Sequence, residues 1–214
     1  MTALDVRVYL VTDPDMVPAD RLVGTVLRAV QGGTTLVQLR DKRADGRALA
    51  ESSRALLDVL RPRGVPLIVN DRADVARAVG ADGVHVGQSD LSVEDVRRVV
   101  GPSAIVGLSI ETVAQVDAAP EAASYLAVSP VYGTATKANI SEPLGLAGVA
   151  AIRKRTSRPL VGIGGIDAAR SASVVTAGAD GVAVVSAILA SPDAERASRQ
   201  LRAAVDAALE ERKQ

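Results

Sequence analysis

The chain has 214 residues, 48% of them hydrophobic and 23% charged, and its 25 basic side chains equal its 25 acidic ones. That composition suits one globular domain with a sizeable core and argues against long disordered tracts. With aromatic residues at 1% and no net charge, no nucleic-acid partner is expected, because such binders carry a basic face or stacking aromatics. The absence of cysteine removes disulfides, thiolate metal sites and cysteine nucleophiles.

The N-terminal stretch MTALDVRVYLVTD lacks the basic start and long apolar run of a signal peptide. No later run approaches the eighteen or so apolar residues of a membrane span. A soluble cytoplasmic protein with no membrane partner is the expectation. Short Val/Ile/Leu runs then predict strands at 6–12, 35–40, 66–70, 83–86, 104–109, 125–128, 159–163 and 181–185. Ala/Arg/Glu-rich segments between them predict helices near 18–31, 46–61, 72–79, 92–100, 111–119, 146–155, 167–177 and 192–211. Gly32-Gly33, Gly64, Gly80, Gly101-Pro102 and Gly178 fall where those helices should stop. The segments Ala76–Val84 and Val175–Val182 share a Gly-Ala-Asp-Gly turn and read as two copies of one helix-to-strand solution. Eight strand–helix units in this length predict a (β/α)8 TIM barrel occupying residues 1–214 as one domain. A doubly wound open sheet is the competing arrangement.

The strand ends carry the chemistry. In Val37-Gln38-Leu39-Arg40-Asp41-Lys42 the alternation of side chains sends Gln38, Arg40 and Lys42 one way and Val37 and Leu39 the other. An amide and two cations cannot face an apolar core, so that side should open onto water or an anion. Later strands also finish at polar residues: Asn70-Asp71, Gln88 and Asp90, Ser109, Thr134 to Lys137, Gly164-Gly165 and Ser186. Active groups of a barrel gather at this end.

Asp71 and Asp90 leave neighbouring strands and could share a hard cation such as Mg²⁺, which takes one or two protein carboxylates and completes its shell with water and phosphate oxygens. They could equally cap the helices that follow. Gly162-Ile163-Gly164-Gly165-Ile166-Asp167 and Val185-Ser186-Ala187-Ile188 close strands seven and eight, where barrels commonly bind phosphate through backbone N–H groups. The alternative there is a tight turn that needs positive φ. In the long loop after strand six, Thr134, Thr136 and Lys137 supply two hydroxyls and a cation, suited to a second phosphate. The single histidine, His85, lies mid-strand between valines and is read as structural. Without a Ser–His–Asp set there is no triad, so Ser109 is expected to hydrogen-bond rather than attack.

Two anion stations follow. One is cationic, with Arg40, Lys42, Asn70, Asp71, Asp90 and Lys137; the other is built from Thr134, Thr136, Gly165, Val185 and Ser186. Together they suit two phosphorylated substrates, one a diphosphate, with metal and cations stabilising its departure. VQLRDK, VND, HVGQSD, GLS, TATK, GIGGI and VVSAI stand in an order that resembles the thiamine-phosphate synthase family, from Tyr9 to Ile188.

The resemblance implies a Mg²⁺-dependent barrel enzyme that joins hydroxymethylpyrimidine diphosphate to hydroxyethylthiazole phosphate and releases diphosphate by dissociative loss. It implies that Gln38, Leu39, Arg40, Asp41, Lys42, Asn70, Ser109 and Lys137 hold the pyrimidine diphosphate, with Arg40, Lys42 and Lys137 as catalytic cations. Asp71 and Asp90 would bind the metal; Thr134, Ala135, Thr136, Gly165, Val185 and Ser186 would hold the thiazole phosphate. The chain departs from the family pattern at Glu111, where a histidine is common, and at Gly133-Thr134, where Pro-Thr is usual. Two rivals remain: a thiazole tautomerase of the same barrel group, which needs only the glycine station, and a catalytically silent barrel that binds a phosphorylated metabolite. The sequence is compatible with an oligomer and does not specify one.

Overall fold

The computed structural model describes residues 4–133 and 142–214. Its strands β1 (Val8–Val11), β2 (Leu36–Leu39), β3 (Leu67–Asn70), β4 (Gly83–Val86), β5 (Ile105–Ile110), β6 (Tyr125–Val128), β7 (Leu160–Ile163) and β8 (Gly181–Val184) close into a parallel barrel in chain order. β8 pairs with β1, which excludes the doubly wound sheet. Helices α1 (Ala19–Gln31), α2 (Gly46–Leu60), α3 (Ala73–Val79), α4 (Val93–Val100), α5 (Val113–Asp117), α6 (Gly145–Arg153) and α7 (Ala168–Thr176) connect the strands. After β8 come a short helix α8 (Ser186–Leu189), absent from the sequence expectation, and the terminal α9 (Ala194–Lys213). Among the described residues no helix is long and apolar enough to cross a membrane.

Strand alternation divides the apolar residues into two cores. Val8, Leu10, Val37, Leu39, Leu67, Val69, Val84 and Val86 point outward into the layer beneath the helices. There they meet stripes such as Leu22, Val26 and Ala29 of α1 and Leu49, Leu56, Leu57 and Leu60 of α2, spaced to share one helix face. Tyr9, Val11, Leu36, Ile68, Tyr125, Ala127, Val161 and Ala183 point inward and fill the barrel. The register keeps inward residues beside one another: Val11 with Gln38, Gln38 with Ile68, Asn70 with His85, and Gly107 with both His85 and Tyr125. Each fully buried Val, Leu or Ile contributes about 1.5–3 kcal/mol, and reversing the parity of one strand would exchange its outward and inward sets, so the register is strongly specified.

The paired Gly-Ala-Asp-Gly turns do the same job twice at the N-terminal end of the barrel. Asp82 accepts the Leu67 N–H at 2.8 Å and donates its own N–H to the Leu67 carbonyl at 3.0 Å. Asp180 repeats this with Leu160, at 2.9 and 2.6 Å. Each aspartate thus ties the start of its strand to the start of the strand before it. The glycine that follows is demanded by packing: a Cβ at Gly83 would lie 2.0 Å from the Ile105 carbonyl oxygen, and one at Gly181 would lie 1.8 Å from that of Val6.

Gly24 is the opposite case, exposed inside α1 with nothing within 4 Å of where its Cβ would sit. Gly24→Ala should stabilise the protein by about 0.5–1 kcal/mol and raise Tm by a few degrees. Gly181→Ala should destabilise it by about 1–3 kcal/mol, because backbone rather than a flexible side chain must yield. Thermal melts of the two variants check this; equal Tm values would refute the assigned close approach of β8 to β1.

Candidate active site

At the C-terminal mouth the backbone settles what each residue of Gln38–Lys42 can do. Gln38 is inward and 4% exposed, and its Nε2 donates to the Tyr9 hydroxyl at 2.5 Å. The sequence expectation of an amide open to water is therefore corrected: the amide nitrogen has a buried partner, because Tyr9 supplies a polar tip inside an apolar cavity. Leu39 is 3% exposed and packs in the outer layer, so only its backbone faces the mouth. Arg40 follows the strand and lines the mouth cavity; its N–H donates to Thr12 Oγ1 at 2.9 Å. The Asp41 carboxylate accepts from the backbone N–H groups of Arg43 and Ala44 at 2.9 and 3.1 Å and closes its own turn. Lys42 reaches across to β3, with Nζ 3.2 Å from Asp71 Oδ2.

Neither carboxylate is a helix cap. The N-cap of α3 is Arg72, with no side-chain capping bond, and that of α4 is Ser92, whose hydroxyl accepts the Asp95 N–H. Asp90 instead accepts the Gly87 N–H at 2.7 Å and braces the loop after β4. Asp71 has φ of 61°, a left-handed conformation that costs a non-glycine residue about 1 kcal/mol or more. Burial pushes its carboxyl pKa up and the neighbouring Asp90 adds to the rise, while Lys42 pulls the other way. Two carboxylates from adjacent strand ends thus face one another with one ammonium beside them. Such a pair fits a divalent cation, which would relieve the repulsion the fold imposes. Among the described residues no group of three or more His, Asp or Glu side chains converges on a metal-sized site.

On the far side of the mouth, β7 and β8 end in the glycine station. Gly164 and Gly165 have φ of 104° and 61°, the positive φ that the tight-turn reading requires. A Cβ on Gly165 would lie 2.5 Å from the Gly133 carbonyl oxygen, and one on Gly164 would lie 2.7 Å from Pro130 Cβ. The loop after β6 therefore rests on the loop after β7. Arg170 adds a brace, donating to the Gly165 carbonyl at 2.8 Å with its guanidinium 5.2 Å from the Tyr132 ring centroid. One cavity runs from Arg40 and Thr12 to Gly164, Gly165, Val185 and Ser186. It joins the cationic side to the glycine side.

Asn70 and Ser109 are half-buried at the mouth. His85 Nε2 lies 2.9 Å from Ser109 Oγ and its Nδ1 lies 2.9 Å from the Tyr125 hydroxyl. Sequence reasoning left His85, Tyr9, Tyr125 and Thr12 without a site role. The signal was available in strand parity, since Tyr9, Gln38, His85 and Tyr125 all occupy inward positions. Thr134, Ala135, Thr136 and Lys137 lie outside the described residues.

The thiamine monophosphate synthase family model matches residues 8–188. The chain belongs to that family. It is 54% identical over 205 residues to the thiamine-phosphate synthase of Xanthobacter autotrophicus, covering 95% of this chain and 97% of the relative. To the thiamine-phosphate synthase of Azorhizobium caulinodans it is 47% identical over 203 residues, covering 94% and 96%. The structure of a thiamine phosphate pyrophosphorylase from Pyrococcus furiosus superposes with a TM-score of 0.89 at 32% identity, covering 98% of this chain and 100% of that one. The chain is accordingly a transferase of thiamine biosynthesis, as its motifs imply.

Within this family member, Asp71 is held against local preference. Its raised carboxyl pKa means that folding stability falls as pH rises from the ordinary carboxylate range through the raised value. At neutral pH the charge is a cost. Asp71→Asn keeps the shape, suits a left-handed backbone and removes that charge. In metal-free buffer at pH 7 its Tm should rise by about 2–4 °C, corresponding to about 1 kcal/mol. A fall of similar size would instead be the signature of a lost cap.

Proposed function

We propose that the chain is a thiamine-phosphate synthase that uses Mg²⁺ to join hydroxymethylpyrimidine diphosphate to hydroxyethylthiazole phosphate, releasing diphosphate. The observation that carries this reading is the mouth cavity that places Arg40 on the same void as Gly165, Val185 and Ser186. Two phosphorylated molecules entering from opposite sides would meet between them. The partners are thus small phosphorylated molecules, and a cytoplasmic location suits their metabolism.

On this reading Gln38 and Ser109 present hydrogen-bonding groups to the pyrimidine, and Asn70 sits beside them at the end of β3. Arg40, Lys42 and Lys137 offset the diphosphate charge, Leu39 and Asp41 contribute backbone at the same turn, and Asp71 and Asp90 hold the metal. Mg²⁺, when bound, supplies positive charge next to the departing diphosphate oxygens. The C–O bond to the pyrimidine methylene breaks with its electron pair leaving on diphosphate. The thiazole nitrogen then donates its pair to the resulting carbocation and forms the C–N bond. No side chain acts as a nucleophile. The protein supplies electrostatic stabilisation of the leaving group and alignment of the two rings. Gly165, Val185 and Ser186, with Thr134, Ala135 and Thr136, hold the thiazole phosphate through backbone N–H groups and hydroxyls.

Mixing both substrates with Mg²⁺ and measuring diphosphate tests the reading directly. Release that requires both substrates is expected; isomerisation of the thiazole without diphosphate would identify a tautomerase, and binding without turnover a silent barrel. Asp71→Ala and Asp90→Ala should each reduce turnover by well over tenfold and raise the Mg²⁺ concentration needed. Unchanged Mg²⁺ dependence in both variants would remove the metal role.

Ser186→Ala should raise the KM for thiazole phosphate more than that for pyrimidine diphosphate. The reverse pattern in steady-state kinetics would mean that the two stations are exchanged.

A further inference from the structure

A row of hydrogen bonds crosses the inside of the barrel and joins Gln38 on β2 to Ser109 on β5. Gln38 Nε2 donates to the Tyr9 hydroxyl at 2.5 Å, the Tyr9 and Tyr125 hydroxyls lie 2.8 Å apart, Tyr125 lies 2.9 Å from His85 Nδ1, and His85 Nε2 lies 2.9 Å from Ser109 Oγ. Tyr9 is 1% exposed, Tyr125 0%, Gln38 4% and His85 8%. The geometry is built for this contact. Gly107 pairs in register with both His85 and Tyr125, and a Cβ there would fall 2.3 Å from the Tyr125 hydroxyl and 2.5 Å from His85 Nδ1. Only a residue without a side chain lets the histidine and the tyrosine touch.

Proton counting gives the row a direction. The Gln38 amide nitrogen can only donate, so Tyr9 accepts from it and spends its own proton on Tyr125. Tyr125 then spends its proton on His85 Nδ1. Burial holds both phenols in their protonated form, their pKa values pushed up by desolvation. A histidine that accepts at Nδ1 and is neutral carries its proton on Nε2 and donates it to Ser109 Oγ. The Ser109 proton is left over for a partner outside the row. At the other end, with its nitrogen engaged by Tyr9, Gln38 offers its carbonyl oxygen.

We infer that Tyr9, Tyr125 and His85 are positioning residues that fix Ser109 as a donor and Gln38 as an acceptor toward the heterocycle of the diphosphate substrate. This rests on the synthase reading for the identity of that heterocycle. An aminopyrimidine matches the pair, since its exocyclic amine donates and its ring nitrogens accept. A buried row of this kind cannot reverse one bond without reversing all of them or leaving a buried polar group unpaired. Recognition at the two ends is therefore coupled across the barrel.

The single histidine makes the test clean, because ¹⁵N-histidine NMR of the whole wild-type protein reports one residue. At neutral pH, without substrates, the neutral tautomer with the proton on Nε2 is expected. A proton on Nδ1, or a cationic ring, would overturn the inference, since either reverses or breaks the row. Tyr125→Phe should then raise the KM for pyrimidine diphosphate about tenfold while leaving that for thiazole phosphate within about twofold. Adding Ser109→Ala to Tyr125→Phe should cost much less than Ser109→Ala costs alone. Tyr9→Phe should reproduce the substrate selectivity of Tyr125→Phe. Equal effects on both KM values, or additive losses in the double variant, would reduce these residues to packing. If the wild type releases no diphosphate from the two substrates, the synthase reading falls, and the tautomer alone then decides whether the row has the stated direction.

Discussion

Every side chain on a closed parallel barrel has two destinations, and a strand of four residues sends alternate ones to each. That restriction governs this molecule. The outward set of Val8, Leu10, Val37, Leu39, Val84 and Val86 is almost uniformly branched aliphatic, because helices cover it completely. The inward set is mixed. It begins apolar, with Leu36, Ile68 and Val161, and becomes polar toward the C-terminal end with Gln38, Asn70, His85 and Ser109. The register aligns these gradients from strand to strand, so polarity collects at one rim without any strand having to break its pattern.

The rim is electrostatically costly by itself. Asp71 sits in a left-handed conformation, partly desolvated and close to Asp90, with Lys42, among the described residues, in contact to offset it. Nothing about folding asks for this. Local rules broken together at one place, with the surrounding strands forcing the arrangement, are the mark of a site shaped for a ligand. The cost is tolerable because the outer core and the two aspartate-stitched turns at the opposite rim carry the fold. Stability and function thus occupy opposite ends of the same eight strands.

How far this could be read from the chain depends on whether the property was local. Strand boundaries were legible within one or two residues because hydrophobic runs bounded by glycine are a local pattern. Helix caps were only half legible. Asp71 and Asp90 precede α3 and α4 closely enough to look like caps, and what excludes capping is the backbone: Arg72 and Ser92 hold those positions. The Asp41 carboxylate is likewise spent on its own turn, which charge counting does not reveal. α8 was missed because four residues after a strand carry no periodicity.

The role of His85 was the least accessible. A lone histidine between valines is unremarkable in one strand. Its meaning comes from Gly107 on the next strand and Tyr125 on the one after, and that depends on register, which no single segment encodes. Two tyrosines buried in a chain that is 1% aromatic were the available hint. A phenol has to place its hydroxyl somewhere, and in the middle of a barrel the nearest partners are the polar groups of the layer above. The apolar interior and the polar mouth are consequently not separate regions joined by chance. The same need to satisfy buried hydroxyls that keeps the core intact also holds Gln38 and Ser109 in fixed orientations, and a barrel interior filled only with aliphatics would pack as well but leave the mouth unordered.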